Sequence, residues 1–244
     1  MKDFIVPDWP APTNVKALVT TRGGGVSVGA YASFNLADHV GDDPQAVAEN
    51  RRWLRDCLPT EPLWLKQVHG VRCIEIEKNL AGVEADASWT DAAGRVCAVL
   101  TADCLPLLLC DESGAVVSAT HAGWRGLADG VIEAAVKSLP APAQKLMAWM
   151  GPAIGPEKFE VGADVRDAFF QHDAASAKAF ASIANGKWLG DLYQLARQRL
   201  NALGVTRIYG GGECTVTDEK RFFSFRRDKV TGRMASLIWL ADRA

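Results

Sequence analysis

Apolar positions along the chain gather in short runs of strand length, punctuated by glycine- and proline-marked turns and by a few longer stretches at helical spacing. Residues 14–21 (NVKALVTT) have the β-branched content of a strand and run into Arg22-Gly23-Gly24-Gly25, where glycine permits a tight turn or a close approach. Asp42-Asp43-Pro44 is helix-start chemistry, and Val47, Trp53, Leu54 and Leu58 then line one helix face. Residues 63–68 (LWLKQV) read as a strand ending at His69-Gly70, and residues 71–77 (VRCIEIE) alternate. Residues 127–139 carry Leu127, Val131, Ile132, Ala135 and Val136 at helical spacing up to Pro140, residues 145–150 read as a strand, and residues 151–156 (GPAIGP) read as a loop. Residues 165–184 and 192–203 are alanine- and leucine-rich helix predictions, the second closed by Gly204. Residues 205–209, 222–225 and 234–240 are the last strand predictions. Strands in runs with helices of uneven length predict an α+β fold: packed mixed or antiparallel sheets flanked by helices, one domain over residues 1–244.

Residues 96–100, 107–110 and 115–120 are three more apolar runs, and Asp111-Glu112-Ser113-Gly114 between the last two predicts a β-hairpin. With Glu112 and Ser113 as a two-residue loop, Asp111 pairs with Gly114 and Cys104 falls directly opposite His121. Opposed residues hold their Cβ atoms about 4.5–5.5 Å apart, from which a thiolate and an imidazole reach a common ion at roughly 2.3 and 2.0–2.1 Å. A slip of one residue would turn these side chains to opposite faces.

Composition narrows the function. The formal charge is -2 with no run of Lys and Arg, so nucleic acid is not expected as a partner. The start of the chain, MKDFIVPDWPAP, has Asp3 and two early prolines where a leader needs an apolar stretch, and no apolar run is long enough to span a bilayer. A cytoplasmic protein is expected, with its six cysteines as reduced thiols. Of four histidines, His69 and His121 sit beside glycine-marked turns at predicted strand ends. His69, Cys104 and His121 make an open three-ligand metal site, the pattern of catalytic zinc. The same residues also fit a Cys104 nucleophile activated by His121, with Asp103 or a backbone group orienting the ring. Arg125, at the start of the 127–139 helix, suits an anion.

The motifs TTRGG (residues 20–24), SFNLA (33–37), ENR (49–51), KQVHG (66–70), TADCLP (101–106), HAGWRGL (121–127), GPAIG (151–155), FEVG (159–162) and FFSFRRD (222–228) follow one another along almost the whole chain. Together they resemble the bacterial polyphenol oxidase, or laccase-like, family, described as purine nucleoside phosphorylases with adenosine deaminase activity. The resemblance implies zinc held by His69, Cys104 and His121, phosphate-dependent cleavage of adenosine, inosine, guanosine and methylthioadenosine, and hydrolytic deamination of adenosine. Deamination requires water activated for attack on the purine C6 and a carboxylate to move protons, for which Asp103 is nearest. Phosphorolysis requires cationic donors for the inorganic phosphate co-substrate: Arg22 and Arg125 first, then Arg226 and Arg227, with Asn35 toward the ribose or base. The alternative metal is copper, which also suits thiolate and imidazole. A multicopper cluster, however, needs more imidazoles than four histidines without a His-x-His pair supply.

Overall fold

The computed structural model describes residues 4–242; residues 1–3, Asp3 among them, and 243–244 lie outside the described residues. In chain order the elements are β1 (Val15–Val19), α1 (Pro44–Arg55), β2 (Cys73–Glu75), β3 (Ala87–Thr90), β4 (Val96–Thr101), β5 (Leu105–Asp111), β6 (Val117–Ala122), α2 (Trp124–Asp129), α3 (Val131–Ser138), β7 (Leu146–Met150), β8 (Glu160–Val161), α4 (Ala163–Phe170), β9 (Phe180–Ile183), β10 (Lys187–Gly190), α5 (Leu192–Ala202), β11 (Arg207–Gly210), α6 (Phe225–Asp228) and β12 (Met234–Leu240). A six-stranded mixed sheet has the order β11-β7-β5-β6-β3-β2, a three-stranded antiparallel sheet the order β1-β12-β4, and a small sheet the order β8-β10-β9. This is the expected α+β arrangement of mixed and antiparallel sheets flanked by helices.

The two larger sheets pack face to face. Cys97, Val99 and Ile238 on one meet Leu108, Cys110, Val117 and Ala119 on the other. The outer face of the β1-β12-β4 sheet, through Val96, Ala98 and Leu100, takes Leu54 and Leu58 from the α1 region together with Phe34. On the far side of the six-stranded sheet, Leu105, Leu107 and Leu109 pack against Leu127, Val131 and Ile132 and against Leu195 and Leu200 of α5. Strands β4 and β5 are therefore buried on both faces, which is why they read as unbroken apolar runs. Each Leu or Val so buried contributes about 1.5–3 kcal/mol. Between these strands the chain leaves one sheet for the other through residues 102–104, with Asp103 at φ 91°.

The hairpin forms, but with a different register. Pro106 pairs with His121 and Cys110 with Val117, so residues 112–115 make a loop of four rather than two. The Asp111 side chain accounts for the longer loop: its carboxylate accepts from the backbone N–H groups of Ser113, Ala115 and Val116. The displacement is two places, an even number, and the faces are preserved.

Four other expectations are corrected. Residues 63–68 form no strand; they make bridges at Leu63 and Lys66, and the Gln67 amide bonds both the N–H and the C=O of Leu100 in place of a strand partner. The 127–139 helix begins earlier and breaks at Gly130 (φ 103°) into α2 and α3. The 165–184 helix stops at Phe170; Asp173 caps a following 3-10 turn, and residues 180–183 pair with β10 instead, tertiary pairing overriding alanine propensity. Residues 222–225 are not a strand, because Phe222 and Phe223 are fully buried anchors and Ser224 caps the short α6. Among the described residues no helix is long and apolar enough to cross a membrane.

Candidate metal centre

Three segments deliver side chains to the end of the sandwich where the chain switches sheets. His121 is the penultimate residue of β6, Cys104 directly precedes β5, and His69 lies in the loop before β2 in a left-handed conformation (φ 59°). One ligand atom from each lies within 4.8 Å of the others. The Cys104 Sγ to His69 Nε2 distance is 3.8 Å, and the two imidazoles meet edge to face with ring centroids 4.8 Å apart.

Asp86 organises the cluster. Fully buried just before β3, its Oδ1 accepts from His121 Nδ1 (2.8 Å) and from the His69 backbone N–H (2.9 Å). Its Oδ2 accepts from the N–H groups of Gly70 (2.7 Å) and Val68 (3.2 Å). One carboxylate thereby fixes the His69 loop and commits Nδ1 of His121, leaving Nε2 of that ring for a metal.

Burial alone would raise the Cys104 thiol, but the charge of His121 and hydrogen bonds from both imidazoles hold it down to about 6. Burial would likewise lower His121, yet the Cys104 thiolate and the Asp86 carboxylate bring it up to about 9. Both shifts favour the thiolate and imidazolium forms of the pair. A soft thiolate and two imidazoles suit zinc or copper, and three protein ligands leave a coordination position for water or substrate.

Gly123 makes the close approach possible. A Cβ there would lie 2.7 Å from His69 Cδ2 and 3.1 Å from Cys104 Sγ. Gly123→Ala should therefore push two ligands apart and weaken metal affinity by roughly tenfold or more, measured by competition with a chromophoric chelator. Unchanged affinity would show that the ligands have slack the geometry does not display.

Two cavities border the cluster. One, of about 290 Å³, is walled by Trp124, Ile154, Phe159 and Leu192 with Arg226 and Lys229. The other, of about 230 Å³, is walled by Gln67, Thr101, His121 and Arg233. His69, Ala102, Cys104 and Phe225 line both. Of these, Phe225 is 51% exposed.

Residues 16–241 match the family model described as multi-copper polyphenol oxidoreductase laccase. The chain belongs to this family. The purine nucleoside phosphorylase PA4543 of Pseudomonas aeruginosa is 54% identical over 243 residues, covering 99% of this chain and 100% of the relative. The purine nucleoside phosphorylase YfiH of Escherichia coli strain K12 is 51% identical over 243 residues, covering 98% and 100%. The crystal structure of Neisseria meningitidis protein NMB0706 superposes with a TM-score of 0.96 at 51% identity, covering 99% of this chain and 100% of that one.

The other residues singled out from the sequence of this laccase-family chain take up varied positions. Asp103 lines the larger cavity, with Oδ1 accepting from Thr215 Oγ1 and Oδ2 from the Arg226 backbone N–H, both at 2.6 Å. Its first role is to hold α6 over the Cys104 turn. Arg226 lines the same cavity and donates to Glu160 O (2.8 Å). Arg22 donates to Ala32 O and Glu219 O, and Arg227 to the carbonyls of Thr215, Val216 and Phe222 and to Asp228; neither lines a cavity of the cluster. Arg125 is exposed, its guanidinium over the Trp124 ring. Asn35 is fully buried, and its amide is spent on Ala37, Asp42 and the backbone N–H of Arg233. Asp86, Gln67 and Arg233 were not anticipated. Asp86 did leave a trace, as a lone carboxylate between Ala85 and Ala87 at the start of a short alternating stretch.

Proposed function

We propose that the chain is a metal-dependent purine nucleoside enzyme. It cleaves adenosine, inosine, guanosine and methylthioadenosine with inorganic phosphate and removes ammonia from adenosine hydrolytically. The metal is zinc, held by His69, Cys104 and His121. The convergence of these three ligand atoms within 4.8 Å, beside open cavities, carries the reading. The relatives named as purine nucleoside phosphorylases over nearly their whole length support the substrate class. The six free thiols support a reducing, cytoplasmic setting.

Bound at this site, zinc supplies Lewis acidity toward an oxygen ligand. The chain's own residues do the rest. Phe225, Phe159 and Trp124 offer flat apolar surface for a purine, and Asp103 fixes the backbone that carries Arg226 beside it. In phosphorolysis an oxygen of hydrogen phosphate bonds to the anomeric carbon as the carbon–nitrogen bond breaks. The electron pair leaves with the purine, and the proton of hydrogen phosphate accounts for the one the base takes up.

The family's description names copper oxidation, but among the described residues only one group of three or more His, Cys, Asp and Glu side chains converges, too few for a multicopper cluster. The Cys-His hydrolase reading keeps some support from the Asp86–His121–Cys104 chain of contacts. Products decide among these. Incubation with adenosine should give adenine and ribose 1-phosphate only when phosphate is present, and inosine with or without it. Chelation should stop both, with zinc restoring them. Absence of both products would refute the nucleoside reading; full activity after chelation would leave the nucleophilic cysteine.

A further inference from the structure

We infer that Arg233 binds the phosphate, in the smaller cavity beside His121, while the purine occupies the larger aromatic one. This rests on the nucleoside-phosphorolysis reading. Phosphate must reach the anomeric carbon from the side opposite the departing base, so a productive site needs an anion pocket and a base pocket with the sugar between them. The two cavities meet this requirement, sharing His69, Cys104 and Phe225 as common wall.

The anion pocket is identified by how the arginines are spent. Arg22 and Arg227 are committed to backbone carbonyls away from the cavities; Arg226, like Arg233 engaged only through Nη1, is set apart by the cavity it lines, which is the aromatic one. Arg233 lines the smaller cavity and is half-buried. Its Nη1 donates to Thr231 O (2.9 Å) and Gly232 O (3.0 Å); among the described residues Nε and Nη2 make no hydrogen bond and the guanidinium makes no salt bridge, although Cys104 and Asp103 act on its charge from nearby. A half-buried guanidinium with an unpaired Nε–Nη2 edge matches the bidentate geometry of a phosphate. The backbone that carries it is held firmly: Asn35 Oδ1 accepts from the Arg233 N–H (2.9 Å), and Gly232 packs so closely that a Cβ would meet Asn35 Cβ and the Phe223 ring at 2.8 Å. Phe225, its ring centroid 5.9 Å from the guanidinium, lines both cavities where they adjoin.

Arg233→Gln in the zinc-loaded full chain should raise KM for phosphate about tenfold to a hundredfold, as expected for losing hydrogen bonds to a charged group, and move KM for the nucleoside much less. Arg233→Lys, which keeps the charge but not the fork, should fall between the two. Binding of inorganic phosphate, followed by calorimetry and by phosphorus NMR, should weaken in the same order with the metal content unchanged. Should Arg233→Gln fail to fold, Arg233→Lys carries the test, and a phosphate KM and affinity equal to wild type overturn the inference. Unchanged phosphate constants in Arg233→Gln, with raised ones in Arg125→Gln, would move the anion site to the first turn of α2. Phosphate binding that depends on Arg233 in a protein that cleaves no nucleoside would uphold the anion site and refute the reading on which it was built. Phosphorolysis indifferent to Arg233 would do the reverse.

Discussion

Cys104→Ser should lose its metal and turn over adenosine about a thousandfold more slowly, because Lewis-acid stabilisation is worth several kcal/mol and each ~1.36 kcal/mol is a factor of ten. The change removes one heavy atom's identity and little else. A serine hydroxyl keeps its proton where the Cys104 thiol, held down to about 6, has already released its own, and a neutral hydroxyl is a poor ligand for a borderline-soft ion. The fold should survive, since Cys104 is only half-buried and belongs to none of the hydrophobic clusters between the layers. The proton balance gives a second readout. His121 is raised to about 9 by Cys104 and Asp86, so at neutral pH it must give up a proton to become a ligand, and metal binding should release about one proton per site. Affinity should weaken as pH falls, most steeply below about 6, where the thiol also regains its proton. Metal content by plasma mass spectrometry, circular dichroism and product analysis test the whole prediction. A folded Cys104→Ser protein with full metal and full turnover would remove the site.

What the sequence made legible and what it hid follow from the range of the interactions. The strand over residues 234–240 was readable as an unbroken apolar run, and the helices beginning at Pro44 and Leu192 because their burial repeats about every 3.6 residues along the chain. The two-residue β8 and the four-residue β3 are too short to show a period, and β3 buries Ser88 and Thr90, which look like loop residues. Of the site, Cys104 and His121 could be brought together because a hairpin joins them. Asp86 escaped because three of its four partners are the backbone N–H groups of Val68, His69 and Gly70, which carry no side-chain signature. Arg233 escaped for a different reason. What distinguishes it from Arg22 or Arg227 is which of its nitrogens remain unpaired once the chain has folded.

Asp86→Asn should be the most damaging isosteric change in the molecule. Each oxygen of this buried carboxylate accepts two N–H groups: His121 Nδ1 and the His69 N–H on one side, the N–H groups of Val68 and Gly70 on the other. An asparagine has one acceptor oxygen, so its NH2 must face one of these donor pairs. Turned toward Val68 and Gly70, it leaves two buried donors without an acceptor, at about 1–3 kcal/mol each, and loosens the loop that carries His69. Turned toward His121, it drives the ring to the tautomer with its proton on Nε2, the atom the metal needs. Either way metal affinity should fall roughly tenfold to a hundredfold, and stability by roughly 2–5 kcal/mol. The pH dependence has a definite sign. Burial pushes the Asp86 carboxyl up, but the hydrogen bond and charge of His121 and the N–H groups of Gly70 and Val68 outweigh it and hold the group below its ordinary value. The unfolded chain therefore takes up this proton near pH 4, the folded chain only at lower pH. The stabilisation is complete above that range and is lost as pH falls through the folded value. In urea titrations of the metal-free proteins, the advantage of wild type over Asp86→Asn should shrink below about pH 4, and should also decline as pH rises from about 6.5 towards 9, where His121, which Asp86 helps to raise, gives up its proton. A difference that grew on acidification below about pH 4, or metal affinity equal to wild type, would mean that the carboxylate is not what holds His69 and His121 in place.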